Sequence, residues 1–160
     1  MIEKSEIVAS ILQQLREELR VLEDTRNMTN EEAIPSDDIA ESQRENRALE
    51  NQYLVDGQGK VAQEHRDAIL AYEALVPRAF AEHEAAALGA LVEVEMGGER
   101  TWYFLGPRAG GLDVHVNGAT VCVLTPQSPL GRRLIGRNIG DSIVVEEGAG
   151  SRIARILALS

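Results

Sequence analysis

The first half of the chain carries apolar residues at helical spacing. From Val8 to Leu22 the apolar positions follow steps of four, three, four and three residues, with charged and amide side chains between them. This period is typical of a coiled-coil seam, in which one stripe of a helix is buried against a partner helix. The pattern therefore predicts a first helix with a narrow apolar face.

A second seam runs through residues 39–53 and resumes at residues 61–75. Two glycines lie between these parts, in residues 56–59, and are expected to weaken the helix or bend it locally. Both seams contain too few apolar residues to be buried on all sides, so we expect the two helices to pack as an antiparallel hairpin. The loop between them is predicted at residues 27–37, where Pro35 disfavours helix at the residue before it.

After Pro77 the pattern changes to the alternation that is typical of strands. Polar and apolar residues alternate in short runs, and Gly-rich or Asn-Gly turns separate these runs. Strands are predicted at residues 91–95, 101–105, 112–116, 119–124, 142–147 and 152–159. The predicted fold class is α+β: a helical coiled-coil hairpin (1–77), a linker (78–88) and a compact β-rich domain with one short helix (89–160).

That short helix is predicted at residues 128–136, which carry a signal at each end. Ser128 can accept a hydrogen bond from the free N–H groups of the first turn, and Pro129 suits the first helical position because it has no N–H to leave unpaired. Gly136 can adopt the left-handed conformation that ends a helix. Gly140-Asp141 then turns the chain into the next strand.

Composition limits the class of protein. The chain has 160 residues and a formal net charge of −10, which argues against a general nucleic-acid coat, because duplex binding normally needs a basic face. The single cysteine, Cys122, can form neither an internal disulfide nor a metal cluster, and its apolar surroundings favour a buried structural role. There is no apolar run near ~18 residues and no secretion signal, so we expect a cytoplasmic protein.

The run from Ser128 to Asp141 resembles a sequence block of the Gre family of bacterial transcript cleavage factors. The family's block contains serine-proline, leucine or isoleucine, arginine, leucine-isoleucine-glycine and glycine-aspartate, and this chain has these residues in the same order. A shorter match is Gly59-Lys60-Val61 in the second predicted helix. The resemblance in residues covers about 118–156, and over the rest of the chain it is one of architecture.

The resemblance implies a fold and a function. Proteins of the family dock on RNA polymerase through an FKBP-like domain and push their helical hairpin into its secondary channel. By this resemblance the chain is an elongation factor that stimulates cleavage of backtracked RNA. It is then no enzyme and has no cofactor of its own, since the Mg²⁺ is shared with the polymerase site. The implied partners are RNA polymerase and, indirectly, the nascent RNA 3′ end, with neither a membrane nor duplex DNA bound directly.

The resemblance places two metal-holding carboxylates, Asp38 and Glu41, at the hairpin tip, where they fit the family's aspartate-leucine-any-glutamate core. Spacing of three residues puts both on one helical face, and Mg²⁺ prefers such hard oxygen ligands. The chain departs from the family's pattern nearby, with Asp37 for glycine, Ser42 for asparagine and Glu45 for tyrosine. Acidic residues in a first turn also stabilise a helix without any metal, so plain helix capping stays open.

The residues expected to contact polymerase lie in the short helix and its cap: Ser128, Pro129, Leu130, Arg132 and Leu134. For the two leucines a core position is the alternative. Two other functions also stay open. One is a Gre-like regulator that occupies the channel without cleavage and modulates initiation or pausing. The other is an adaptor or dimerisation module that is unrelated to polymerase.

Overall fold

A computed structural model of the protein describes residues 2–31, 41–148 and 150–160. Two long helices come first, α1 (Lys4–Glu31) and α2 (Glu41–Ala74). The other elements in these ranges are β1 (Leu91–Met96), β2 (Glu99–Leu105), β3 (Asp113–Val116), β4 (Ala119–Leu124), α3 (Pro129–Leu134), β5 (Ser142–Glu147) and β6 (Gly150–Leu159). The predicted α+β fold, with helices ahead of a β-rich region that contains one short helix, is confirmed.

Both long helices are more continuous than the sequence predicts. α1 runs to Glu31, so the predicted loop start at residue 27 is wrong, because residues 27–31 contain no proline or glycine to end the helix. The rest of that loop, with Pro35, lies outside the described residues. α2 is helical through residues 56–59, so the expected weak point does not interrupt it. Each glycine there costs only about 1 kcal/mol, which the turns on both sides outweigh.

Contacts divide the chain into two compact units. The first unit contains Met1–Gln13 and Leu70–Ser160, and the second contains Gln14–Ile69. The first turns of α1 and the last turns of α2 belong to the same unit, so the two helices run in opposite directions, as predicted. The predicted limits at residues 77 and 88 follow the change from helix to strand and stay a prediction.

Burial in the helices matches the first predicted seam in part. Val8 and Leu15 are buried, whereas Leu12, Leu19 and Leu22 are half-buried. Ile7 and Ile11, which the seam omits, are fully buried in the first unit. The start of α1 therefore uses a wider apolar face than a coiled-coil seam, because it also belongs to the core of the β-rich unit.

The six strands form one sheet in the order β3-β4-β2-β1-β6-β5. β2 and β4 pair in parallel, and the other neighbours are antiparallel. The β3–β4 turn has positive φ at Asn117 (52°) and Gly118 (80°), which is the two-residue turn that Asn-Gly predicts. One face of the sheet packs with α3 into a core that includes Val92, Val94, Leu105, Leu134, Ile143, Ala154 and Ile156.

The end of α2 is fixed to the strand region by Tyr72. Its side chain is 1% exposed, and its hydroxyl donates a hydrogen bond to the Arg108 carbonyl over 2.8 Å. Gly106 lies so close that a Cβ there would come within 2.0 Å of the Tyr72 hydroxyl. Burial raises the pKa of Tyr72, which keeps this donor protonated. Glycine at position 106 is therefore a packing requirement.

Candidate functional site

Residues 128–141, which resemble the sequence block of the Gre family and are called the Gre-like block below, fold as a capped helical corner. The Ser128 hydroxyl accepts a hydrogen bond from the Gly131 N–H over 3.0 Å and donates one to the Thr125 carbonyl over 2.8 Å. Pro129 is the first residue of α3, and Gly136 follows the helix with φ of 80°. The cap, the proline start and the left-handed glycine are thus confirmed.

The interior of this corner is tightly packed. Leu134 is fully buried in the sheet core, and Leu130 is half-buried against it. Both leucines therefore have the core position given above as the alternative to a partner contact. At Gly131 a Cβ would lie 2.1 Å from the backbone oxygen of Thr125 and 2.6 Å from the Ser128 hydroxyl oxygen. Only glycine fits there without a shift of the backbone.

The outer surface of the corner is formed by polar and cyclic side chains. Pro129 and Arg132 are exposed and Ser128 is half-buried. The Arg132 guanidinium donates a hydrogen bond to the Gln127 carbonyl over 3.1 Å, which leaves the charge at the surface. The predicted contacts of these three residues with polymerase stay a prediction.

The turn after α3 holds the corner against the sheet. The carboxylate of Asp141 accepts a hydrogen bond from the Asn138 N–H over 3.0 Å. The backbone of Gly140 and Asp141 bonds in both directions with Ile156 of β6, each over 2.9 Å. Gly140, with φ of 90°, therefore turns the chain into β5, as predicted.

The predicted tip of the hairpin is only partly described. Glu41 is the first residue of α2, and Asp38 lies outside the described residues. The donor chemistry of the pair suits Mg²⁺, because both side chains are carboxylates. Among the residues that the structure does describe, no group of three or more His, Cys, Asp or Glu side chains could hold a metal ion. The Mg²⁺ role of Asp38 and Glu41 stays a prediction.

A histidine joins the two long helices within the second unit. Nε2 of His65 lies 2.9 Å from a carboxylate oxygen of Glu18, and Nδ1 lies 2.9 Å from the Val61 carbonyl oxygen. A neutral imidazole has one N–H, so only the imidazolium can donate to both acceptors. A second link, from Arg66 to Glu23, spans 2.7 Å. His65 lies within the second predicted seam, at residues 61–75, but the seam pattern does not indicate its partner. The partner is determined by how the two helices align.

A shallow apolar groove of about 370 Å³ lies beside this histidine. It is lined by Glu17, Glu18, Val21, Leu22, Val61 and His65. The apolar lining is made of side chains on or next to the seams that the two helices do not fully cover, with Val21 51% exposed and Val61 40% exposed. The seam pattern indicates Leu22 and Val61 as helix contacts and omits Val21, so it does not reveal the groove.

The helix pair is expected to be less stable at alkaline pH because of His65. Burial acts to lower the pKa of His65, but the Val61 carbonyl and the Glu18 carboxylate outweigh it, so the pKa is raised above its ordinary value. A raised pKa means that the folded state binds the proton more tightly. The stabilisation is full below the ordinary histidine pKa of about 6.5 and is lost as pH rises through the higher folded value.

Thermal unfolding, followed by helical circular dichroism between about pH 6 and about pH 8.5, measures this loss. His65→Gln should flatten the pH dependence over that range. His83→Gln is the matched control, since His83 is exposed. An equally steep dependence in the wild type and in His65→Gln would contradict the role given to His65.

The thiol of Cys122 is not suited to nucleophilic chemistry. Cys122 is half-buried, and burial together with the neighbouring Asp113 raises the pKa of its thiol to about 11. The thiol is therefore protonated at neutral pH and is a poor nucleophile, in line with the structural role expected from the sequence.

In the ranges that the structure describes, no helix is both long enough and apolar enough to span a bilayer.

Comparison with solved structures gives several similar proteins. GreA factor homolog 1 of Thermus thermophilus is 22% identical, over 97% of this chain and 93% of that one, with a TM-score of 0.39. Gfh1 of Thermus aquaticus is also 22% identical, over 97% and 92%, with a TM-score of 0.39. The transcription elongation factor GreA/GreB from Nitrosomonas europaea is 18% identical, over 60% and 78%, with a TM-score of 0.38.

No protein-family model and no curated protein matches the chain.

Proposed function

We propose that this protein is a transcription factor that binds RNA polymerase and acts through its secondary channel. The observation that carries the proposal is the Gre-like block from Ser128 to Asp141 together with the way it folds. Ser128, Gly131 and Leu134 build and anchor a short helix, and Pro129 and Arg132 are presented on its surface. A surface residue pattern on a rigid, capped element suits a docking site for a protein partner.

The helical hairpin is the element proposed to enter the channel. α1 has 28 residues and α2 has 34, which corresponds to lengths of about 42 and 51 Å at 1.5 Å per residue. The links from His65 to Glu18 and from Arg66 to Glu23 join the two helices side by side. Two long helices joined in this way suit an arm that carries side chains into a narrow opening.

The chemical role proposed for this arm lies with Asp38 and Glu41. Each would offer a carboxylate oxygen to a Mg²⁺ ion of the polymerase active site. That ion, when bound, stabilises charge at the phosphate during RNA cleavage. The chain itself would hold the two carboxylates on one helical face, as their spacing of three residues predicts, and would carry out no cleavage. The protein would then act as an accessory factor and not as an enzyme.

The experiment is a cleavage assay with a backtracked elongation complex. Purified wild-type protein should release short 3′ RNA fragments, and binding to core polymerase is measured in parallel. Absence of binding to core polymerase would reject the whole proposal and leave the adaptor or dimerisation module. Self-association of the purified protein through α1 would then be the next measurement.

A second function, channel occupancy without cleavage, is favoured by the departures around the predicted tip. Asp37, Ser42 and Glu45 replace the glycine, asparagine and tyrosine of the family's pattern. Such a regulator would bind polymerase and change the yield of transcripts from a promoter or the duration of pauses. Binding without release of 3′ fragments, together with altered promoter transcription, would decide for this function.

A further inference from the structure

The linker at residues 78–88 packs into the core of the first unit. Phe80 is 9% exposed and Ala86 is 1% exposed, and both belong to the same buried cluster as Leu134 of α3. The sequence predicts only a connection in this region, since Phe80 stands alone in an Ala-rich stretch and follows neither a helical nor a strand period. The structure therefore makes the linker part of the core to which the corner at residues 128–141 is anchored.

The linker is also bonded to the turn that follows α3. The Ala86 N–H donates a hydrogen bond to the Arg137 carbonyl, and the Gly136 N–H donates one to the Ala86 carbonyl, each over 2.7 Å. Because hydrogen bonds are directional, two bonds of opposite sense restrict both the position and the orientation of this turn. α3 has six residues, and a helix of this length is not stable alone. Its placement therefore depends on the segments that pack on it and bond to it.

Two cations contact the ring of Phe80. The guanidinium carbon of Arg78 lies 3.9 Å from the ring centroid, and the ammonium of Lys4, the first residue of α1, lies 4.8 Å from it. These are the distances of cation–π contacts. Lys4 also donates a hydrogen bond to the Arg78 carbonyl, and the Arg78 guanidinium pairs with the Glu84 carboxylate. The segment from residue 78 to residue 84 is thus closed on the aromatic ring.

We propose that Phe80 is a positioning residue for the corner at residues 128–141 and, through it, for docking on RNA polymerase. The inference rests on the proposed function. Phe80 offers little surface to a partner, so it acts through packing: its ring fills the core that anchors Leu134, and it fixes the linker whose Ala86 bonds to the turn after α3. Loss of the ring should let α3 shift on the sheet, because a close-packed core transmits the change in volume. A shifted corner fits its partner less closely.

A purely structural role is the alternative for a buried phenylalanine, and Phe104 allows the two roles to be separated. Phe104 is the only other phenylalanine of the chain, lies in β2 and is fully buried. Its chain neighbours Tyr103 and Leu105 face the cluster that contains Leu134, so strand alternation directs Phe104 to the other face of the sheet. The same substitution at position 104 therefore removes a buried ring without touching the support of the corner.

The test compares the affinities of full-length Phe80→Leu and Phe104→Leu for core RNA polymerase, at a temperature where thermal unfolding shows both to be folded. Phe80→Leu should bind roughly 10-fold more weakly, and Phe104→Leu should bind as the wild type does. At saturating protein, Phe80→Leu should reach the wild-type effect on transcription, because docking is altered and the hairpin is not.

A second variant avoids any loss of core volume. Arg78→Met removes the nearer cation from the ring of Phe80, and Arg78 itself is exposed. Binding should weaken by roughly 3-fold, which corresponds to the loss of one cation–π contact. Arg108→Met is the matched control, since Arg108 is exposed elsewhere in the first unit, and it should bind as the wild type does.

Amide hydrogen exchange measures the support of the corner without polymerase. In Phe80→Leu the amides of Ala86 and Gly136, which form the two bonds between linker and turn, should exchange roughly 10-fold faster relative to the other slow amides of the sheet. In Phe104→Leu the exchange of these two amides relative to the rest should not change. A uniform acceleration in both variants would report global unfolding only and would contradict the role given to Phe80.

The outcomes separate this inference from the proposed function. Normal polymerase binding by Phe80→Leu, or equal weakening by Phe80→Leu and Phe104→Leu, would overturn the inference and leave the proposed function standing. Failure of the wild type to bind polymerase would overturn the proposed function, and the docking role of Phe80 with it. The exchange rates of Ala86 and Gly136 would then still decide whether Phe80 positions the corner.

Discussion

Alanine at both Asp38 and Glu41 is expected to reduce RNA cleavage in a backtracked complex by about 100-fold or more, since a metal ion contributes several kcal/mol to such a reaction. The physical reason is the loss of two hard oxygen ligands that this chain would supply to Mg²⁺. Binding to polymerase should stay close to that of the wild type, because the predicted docking residues are distant in sequence. The measurement is the initial rate of 3′ fragment release, with polymerase saturated by each protein.

The matched control changes two other acidic residues of α2, Glu50 and Asp56, to alanine. Both are exposed, and the pair alters the net charge by the same amount as the tip variant. Cleavage should be retained in this control. If the tip variant and the control lose cleavage equally, the effect comes from overall charge and not from chelation. If the tip variant cleaves as well as the wild type, Asp38 and Glu41 are helix-capping residues.

Much of the strand region can be predicted from the sequence because its signals are local. Alternation of polar and apolar residues predicts the strands. Asn117-Gly118 predicts a two-residue turn, and the structure has positive φ at both of these residues. The corner at Ser128 is equally local, since a cap, a proline start and a terminal glycine lie within nine residues. Such features depend on the conformations of a few neighbouring residues, and the types of those residues indicate these conformations.

Features that depend on tertiary contacts are predicted less well. The parallel pairing of β2 with β4 joins strands that are not consecutive, so no turn signal announces it. Ile7 and Ile11 are buried because α1 begins inside the β-rich unit, whereas the seam pattern describes a helix paired only with another helix. The link between His65 and Glu18 spans 47 positions and follows from the alignment of α1 with α2.

The candidate site shows the same division. The sequence identifies the Ser128 block, but only packing separates its residues into those that build the helix and those that face solvent. Leu134 is fully buried and Arg132 is exposed, although both belong to the same Gre-like block. Val144 and Ile153, which pair across β5 and β6, are 49% and 68% exposed, although the sequence pattern predicts ordinary strand positions for both.

Gly131→Ala is expected to lower the free energy of unfolding by about 3 kcal/mol, the upper part of the usual range for overpacking. The new methyl group would lie 2.1 Å from the Thr125 backbone oxygen, and a backbone atom cannot move aside as a side-chain end can. It would also press on the Ser128 hydroxyl, which caps α3 through the Gly131 N–H. Equilibrium unfolding in urea, followed by tryptophan fluorescence, measures the change.

Gly57→Ala is the matched control, because a Cβ at Gly57 would meet nothing within 4 Å and the residue lies inside α2. This variant should be more stable than the wild type by about 0.5–1 kcal/mol, since alanine favours helix over glycine. Wild-type stability in Gly131→Ala would show that α3 does not pack closely on the Thr125 turn. A destabilised Gly131→Ala with normal stability in Arg132→Ala would separate the two kinds of residue in the block: Gly131 builds the corner, and Arg132 remains available for a partner.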